Sequence, residues 1–203
     1  YEVIEEDMVG IRENFLDIAA KMGSHQKDKN ATGNGIVPID HHFNVKGVGV
    51  VVLASVAGGS IKKHDALKVL PTGKTAQVRS IQKHDDDAET AVVGDRVGLA
   101  LKNIESEELD RGYVLTNNPA VQHATTVTGK AQLVKYWPAA LKEGMVIYAG
   151  LWMQFLPTRL EKTVVDGDWR MPTLTLTLEK DLVYLPGARV VLHYLEGGKL
   201  RVV

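Results

Sequence analysis

The chain has no cysteine, which removes a disulfide framework, thiolate metal sites and cysteine nucleophiles together. It also lacks a long apolar run. The longest, Val48 to Ala57, is of strand length, well short of the roughly 20 residues that a membrane-spanning helix needs. No excess of either charge is present: 24 Lys and Arg stand against 25 Asp and Glu, for a net charge of -1. Taken over the whole molecule, that balance argues against a nucleic-acid partner. Tyr1 opens the chain without a signal-peptide pattern, which points to a piece of a longer protein. What is present is ordinary for a folded protein. An apolar share of 44% over 203 residues excludes disorder and allows one large or two small cores.

Several kinds of chemistry drop out on spacing. Gly73-Lys74-Thr75 copies the end of a phosphate-binding loop, but the first glycine of that motif would fall at Lys68. Pro71 and the β-like Ala76-Gln77-Val78 flank it, where the motif demands a strand before and a helix after. His41 and His42 are adjacent, so in a strand they face opposite ways and share no metal. His84 beside Asp85-Asp86-Asp87 reads as a solvated hairpin tip rather than a cation site. No HExxH spacing and no GxSxG elbow occur. A hydrolytic or small-molecule enzyme using the His-rich surface is therefore the weakest reading, and this chain is expected to be no enzyme.

Ile4, Met8, Ile11, Phe15, Ile18 and Met22 recur at steps of four and three, which predicts an amphipathic helix over about 5–22 with Gly23-Ser24 ending it. A polar linker follows to Gly35. From Ile36 on, short Val-, Ile- and Leu-rich runs alternate with Gly and Asp turns, and Thr116-Asn117-Asn118-Pro119 marks a second break. The pattern predicts an all-β protein, with two small antiparallel barrels in tandem behind one N-terminal helix. Strands are expected at 45–56 (one long or a bent pair), 66–70, 76–82, 96–101, 125–134, 146–155, 160–165, 173–178 and 189–195. Charge divides along the same breaks. Residues 1–35 carry -3, residues 36–120 carry -1 and residues 121–203 carry +3, so a mildly basic last domain sits inside a neutral total.

Pro38-Ile39-Asp40-His41-His42-Phe43-Asn44-Val45-Lys46-Gly47-Val48-Gly49 resembles the opening of domain 2 in translational GTPases of the elongation factor Tu superfamily. The resemblance continues in order through Ala57-Gly58-Gly59-Ser60-Ile61, His64-Asp65-Ala66-Leu67-Lys68-Val69-Leu70-Pro71 and Val78-Arg79-Ser80-Ile81-Gln82. It then runs through Gly94-Asp95-Arg96-Val97-Gly98-Leu99 and Glu107 to Leu115. The DHxF and VRSIQ variants are most similar to the selenocysteine-specific, archaeal branch. Leu185-Pro186-Gly187-Ala188-Arg189 and Leu195-Glu196-Gly197-Gly198-Lys199 are similar, more loosely, to the close of domain 3. The nucleotide motifs of the family have no match.

The resemblance implies a division into 1–35 (last helix of a missing GTPase domain plus linker), 36–120 (domain 2) and 121–203 (domain 3). It leaves open whether domain 3 is complete at Val203. It implies a cytoplasmic translation elongation factor fragment that binds a specialised aminoacyl-tRNA and contacts the ribosome. GTP and Mg would belong to the absent domain, with no cofactor or metal in this chain and no membrane or DNA partner. The aminoacyl and 3′-end pocket would contain Asp40, His41, Phe43 and Arg96. Contacts to the tRNA backbone would come from basic residues of the last domain, among them Lys130, Arg159, Arg189 and Lys199. Val50-Val51-Val52-Leu53-Ala54-Ser55 departs from the family's Gly-Thr-Val-Val-Thr-Gly, exchanging hydroxyls for apolar groups and placing Leu53 at the pocket edge. That departure keeps a second reading open, a paralogue with a degenerate GTPase domain acting as an interaction or regulatory module.

Overall fold

The computed structural model describes residues 8–26 and 33–196. Helix α1 spans Met8–Gln26, so it runs through Gly23 rather than stopping there. A glycine inside a helix costs only about 1 kcal/mol relative to alanine, too little to end one by itself. The predicted apolar stripe is not buried over its described part. Residues 12–20 are all exposed, Phe15 at 65% and Ile18 at 52%, so this stretch packs on neither β domain. Ile4 lies outside the described residues.

The first β domain contains β1 (Ile36–Val45), β2 (Gly49–Ser55), β3 (Ser60–Lys62), β4 (Ala66–Leu70) and β5 (Lys74–Lys83). It continues with β6 (Asp86–Ala88), β7 (Thr90–Val92), β8 (Arg96–Lys102), a 3-10 turn at Ser106–Glu108 and β9 (Val114–Thr116). The antiparallel order β4-β9-β1-β2-β8-β5 returns to β4 through the β4–β5 pairing, which closes a six-stranded barrel. Closure leaves these strands no free edges. Every second residue of β2, β4 and β8 points inward, and Val52, Leu67, Val69 and Leu99 are fully buried at the centre. Of the expected 45–56 strand, one strand forms, β2, after a Lys46-Gly47-Val48 turn, and Val45 is the last residue of β1. At the acidic hairpin, His84 and Asp85 both take positive φ (52° and 70°), the backbone of a two-residue hairpin turn. No group of His, Asp and Glu able to hold a metal occurs among the described residues.

The second domain is a five-stranded antiparallel sheet in the order β10-β13-β12-β11-β14. Its strands are β10 (Gln122–Lys130), β11 (Val146–Leu151), β12 (Gln154–Val164), β13 (Thr173–Tyr184) and β14 (Val191–His193). Ile147, Leu160, Leu174 and Leu176 on its inner face bury against Leu133, Trp137 and Leu141 from the long connection between β10 and β11. The predicted 146–155 strand is in fact a hairpin. It turns at Trp152, whose φ is 52°, a conformation that turn-forming residues usually signal and tryptophan does not. The expected run at 160–165 covers the end of the longer β12, and 173–178 is the first half of the longer β13.

Two sets of contacts fix one domain on the other. Ile36, Leu70 and Val114 of the barrel pack with Val121 and Val183, and Trp152 and Leu185 cover them. The connection is tied back by Asn117, whose Oδ1 accepts from the Gly35 N–H at 2.7 Å, and by Thr116, whose hydroxyl donates to the Gly35 carbonyl at 2.6 Å. Among the described residues no helix is long and apolar enough to cross a membrane.

Candidate functional site

The outer wall of β1, β2 and β8 gathers the four pocket residues suggested by the sequence. Register sets His41 opposite Leu53 and Phe43 opposite Val51. On the other side of β2, Leu53 faces Gly98 and Ser55 faces Arg96. Because side chains alternate across a strand, His41, Phe43, Val51, Leu53, Ser55, Gly98 and Arg96 share the outside of the barrel. His42 is on the other parity, opposite the buried Val52, and its Nδ1 is 3.0 Å from the Ser106 hydroxyl.

Asp40 is present for a different reason. The β1–β2 register shifts between Ile39 and His41, so Asp40 is an extra residue in a bulge, which re-aims the side chain and increases local twist. Its Oδ1 lies 3.3 Å from His41 Nδ1 and 3.1 Å from an Arg111 terminal nitrogen. Both are close enough for charge attraction, yet neither lies on the line of a hydrogen bond, and this oxygen is screened from water. Arg96 takes neither nearby carboxylate. Asp95 instead accepts from the Val92 N–H at 2.9 Å and pairs with Lys83 at 3.2 Å. Arg96 is exposed at the start of β8, and among the described residues no acidic group pairs with it.

The face therefore has an apolar middle and charged margins. Phe43 and Leu53 are each 41% exposed, an uncommon placement for large apolar side chains on a barrel exterior. Gly98 keeps the wall low beside Leu53: a Cβ built there would touch Leu53 Cδ2 at 3.9 Å. Such a surface can hold a small apolar or aromatic group flat while Arg96 forks onto an adjacent oxygen or anion. Arg111 was invisible to sequence reasoning, because only the fold brings it to Asp40. Gly98 carried a usable signal, since an isolated glycine within a strand marks a close approach.

The second domain splits its candidates. Lys130 and Arg159 lie on the outer face of the sheet, opposite Thr173 and Thr177 of β13 respectively. The Thr128 and Thr175 hydroxyls meet at 3.1 Å between them. Arg189 is exposed on the approach to β14 and lines the cleft between the domains. Lys199 lies outside the described residues. No phosphate cradle forms at Gly73-Lys74-Thr75. Gly73 closes a turn by donating to the Val69 carbonyl at 2.8 Å, strand β5 follows directly, and Lys74 is paired with Glu108. The residues there do not fit a GTP site.

Residues 49–116 match the family model described as elongation factor Tu domain 2. The barrel is an elongation factor Tu domain 2. Over 102 residues, half of this chain and 20% of the relative, the protein is 40% identical to a selenocysteine-specific elongation factor of Methanocaldococcus jannaschii. Over 117 residues it is 46% identical to an uncharacterized protein of the same organism, covering 58% of this chain and 36% of that protein. In structure it is similar to translation elongation factor SelB from Methanococcus maripaludis. The TM-score is 0.79 at 26% identity, over 95% of this chain and 46% of that one. The chain thus spans less than half the length of these relatives. The likeness to SelB extends across both β domains.

Proposed function

We propose that this chain is the RNA-handling part of a translation elongation factor, with residues 36–120 as domain 2 and 121–203 as domain 3. The outer wall of β1, β2 and β8 receives the aminoacyl group and 3′ end of a specialised aminoacyl-tRNA. Phe43 stacks on a terminal base, Arg96 meets a carbonyl or anionic group, and Asp40 with His41 frames the amino end. Lys130 and Arg159 face the acceptor and T stems. Ribosome contact accompanies delivery in the cytoplasm, and GTP with Mg is bound and hydrolysed by a separate GTPase domain of the parent protein, to which 1–35 belongs. One observation carries this reading: Asp40, His41, Phe43 and Arg96 share one exposed face of an elongation factor Tu domain 2.

Filter binding of charged against uncharged tRNA over a salt series tests it. Charged tRNA should bind more tightly, with affinity falling steeply as salt rises. Arg96→Ala should weaken it about 10- to 100-fold, the value of a charge-assisted hydrogen bond. Phe43→Ala should weaken binding while changing stability by less than about 1 kcal/mol, because its ring is already half in water. Equal affinity for charged and uncharged tRNA would sink the reading.

A second reading, an interaction module that has lost delivery, is favoured by Leu53. Its apolar side chain occupies the pocket edge where the resembling family carries a hydroxyl. Restoring the hydroxyl by Leu53→Thr separates the two. A gain in affinity for charged tRNA in the variant alone supports the lost-delivery module.

A further inference from the structure

A cleft of about 1360 Å³ separates the barrel from the second sheet. It is lined by Arg111 from one side and by Arg189 and His193 from the other, and among the described residues no Asp or Glu lines it. In a chain with more acidic than basic residues, a cleft of that composition focuses positive potential and attracts anions. Arg111 spends one nitrogen on Asp40. Arg189 is exposed, and among the described residues no carboxylate pairs with it.

The same cleft offers an aromatic platform. Phe155 on β12 sits opposite Gly150 of β11 and is 49% exposed. Its ring stacks on Tyr148 with centroids 5.1 Å apart and planes at 15°, and it meets His193 in an edge arrangement at 5.2 Å and 70°. Gly150 makes room for this: a Cβ there would stand 3.2 Å from His193 Nε2. Three rings locked by mutual contact lose little entropy when a fourth is laid on them. The three rings lie apart from the wall of β1, β2 and β8, and Arg111 links the cleft to that wall through Asp40.

We propose that this cleft binds an unpaired nucleotide of single-stranded RNA. The base lies on the Phe155 platform, and its phosphate is held by Arg189 from one side and by the free nitrogens of Arg111 from the other. A flat π-face beside two guanidinium groups, one shared with Asp40 and the other without a carboxylate partner among the described residues, matches a nucleotide on both counts. A base inside a duplex cannot present its face to a ring, so pairing excludes it. A free mononucleotide offers the same chemistry, and the assay distinguishes that source.

The test is a fluorescence titration of this chain, read through its tryptophans, of which Trp152 also lines the cleft. The probes are a short oligoadenylate, the same oligomer paired into a duplex, AMP, and a polyglutamate peptide. An oligoadenylate can also lay a base on Phe43 of the other wall, so Phe43→Ala, which should leave this binding in place, and the Phe155 and Arg189 variants separate the cleft from the tRNA reading above. The single strand should bind more tightly than the duplex. Phe155→Ala should weaken it by roughly 5- to 150-fold, the value of one base–aromatic stack, and Phe155→Trp should restore it. Arg189→Ser, on a surface loop, should weaken binding and flatten its salt dependence. Unchanged affinity in both Phe155→Ala and Arg189→Ser would overturn the site. Displacement of the oligomer by polyglutamate at equal concentration would overturn the nucleotide and assign the cleft to an acidic segment. Displacement by AMP at equal concentration would overturn the RNA source.

Discussion

Gln154 allows the sharpest test of how the second domain holds together beside the barrel. It is 7% exposed at the start of β12, where strand pairing fails: β12 pairs with β13 from Thr158 onward, and not at its first residues. The side-chain amide substitutes for the missing strand. Its Nε2 donates to the Val183 carbonyl and its Oε1 accepts from the Val183 N–H, both at 2.7 Å. Gln154→Met keeps most of the volume and removes both bonds. Val183 is itself buried at 1% exposure, so its N–H and C=O would be left unsatisfied at about 1–3 kcal/mol each, a total of about 2–6 kcal/mol. For a chain of this size that lowers Tm by about 4–24 °C. Urea unfolding followed by tryptophan emission reads the change in the right place, because Trp137, Trp152 and Trp169 all belong to the second domain. Amide exchange adds a local reading, in which the Val183 proton should lose protection more than those of the barrel. A variant within about 1 kcal/mol of the parent, with Val183 still protected, would refute the substitution of amide for strand.

Gly59→Ala should be more damaging to the barrel than its surface position suggests. The residue has φ of 60°, and an added Cβ would sit 2.1 Å from the Asn34 carbonyl oxygen, so backbone must move as well as twist. A loss of about 2 kcal/mol or more is expected in thermal unfolding, and a neutral result would show that the 33–36 segment is not seated there. The pair of Lys74 and Glu108 gives a pH dependence. The Lys74 ammonium, and then the Glu105 backbone N–H, hold the Glu108 carboxyl below its ordinary value of 4.5. A depressed carboxyl stabilises the fold above its unfolded pKa and loses that contribution as pH falls through the folded value. Unfolding between pH 5 and 3 should therefore be slightly less pH-sensitive in Glu108→Gln than in the parent, and equal slopes would remove the pair from the account.

How much of this was legible in the sequence depends on the distance over which each feature is determined. The Val-, Ile- and Leu-rich runs and the Gly and Asp turns between them are local, so the all-β class could be read directly, whereas β1 (Ile36–Val45) was not among the expected strands because its second half is mostly polar. The four pocket residues came from family resemblance, and the fold then put them on one wall. The bulge at Asp40 was not legible, because it depends on how β1 meets β2 rather than on either strand alone. The Trp152 turn escaped because tertiary packing against the interdomain cluster holds a residue with no turn preference of its own. The Gln154 clasp escaped because a buried glutamine resembles any polar residue until its partner, 29 positions away, is known.

Charge is the plainest case of that difference in range. The net value of -1 argued against RNA, and dividing the chain into segments moved the positive excess to its last domain. Neither sum could find the cleft. Its walls come from around Gly33, Gly58, Arg111, Gly150 and Arg189, segments separated by tens of residues and interleaved with acidic stretches such as Asp85-Asp86-Asp87. Folding sorts the charges: the acidic hairpin projects into solvent at the tip of β5 and β6, while two arginines and a histidine line the cleft and, among the described residues, no carboxylate does. A ligand responds to potential within about one Debye length, roughly 8–10 Å at physiological salt. At that range the local composition of a wall outweighs the total charge of the chain, and an anion meets a positive cleft on a protein whose net charge is negative.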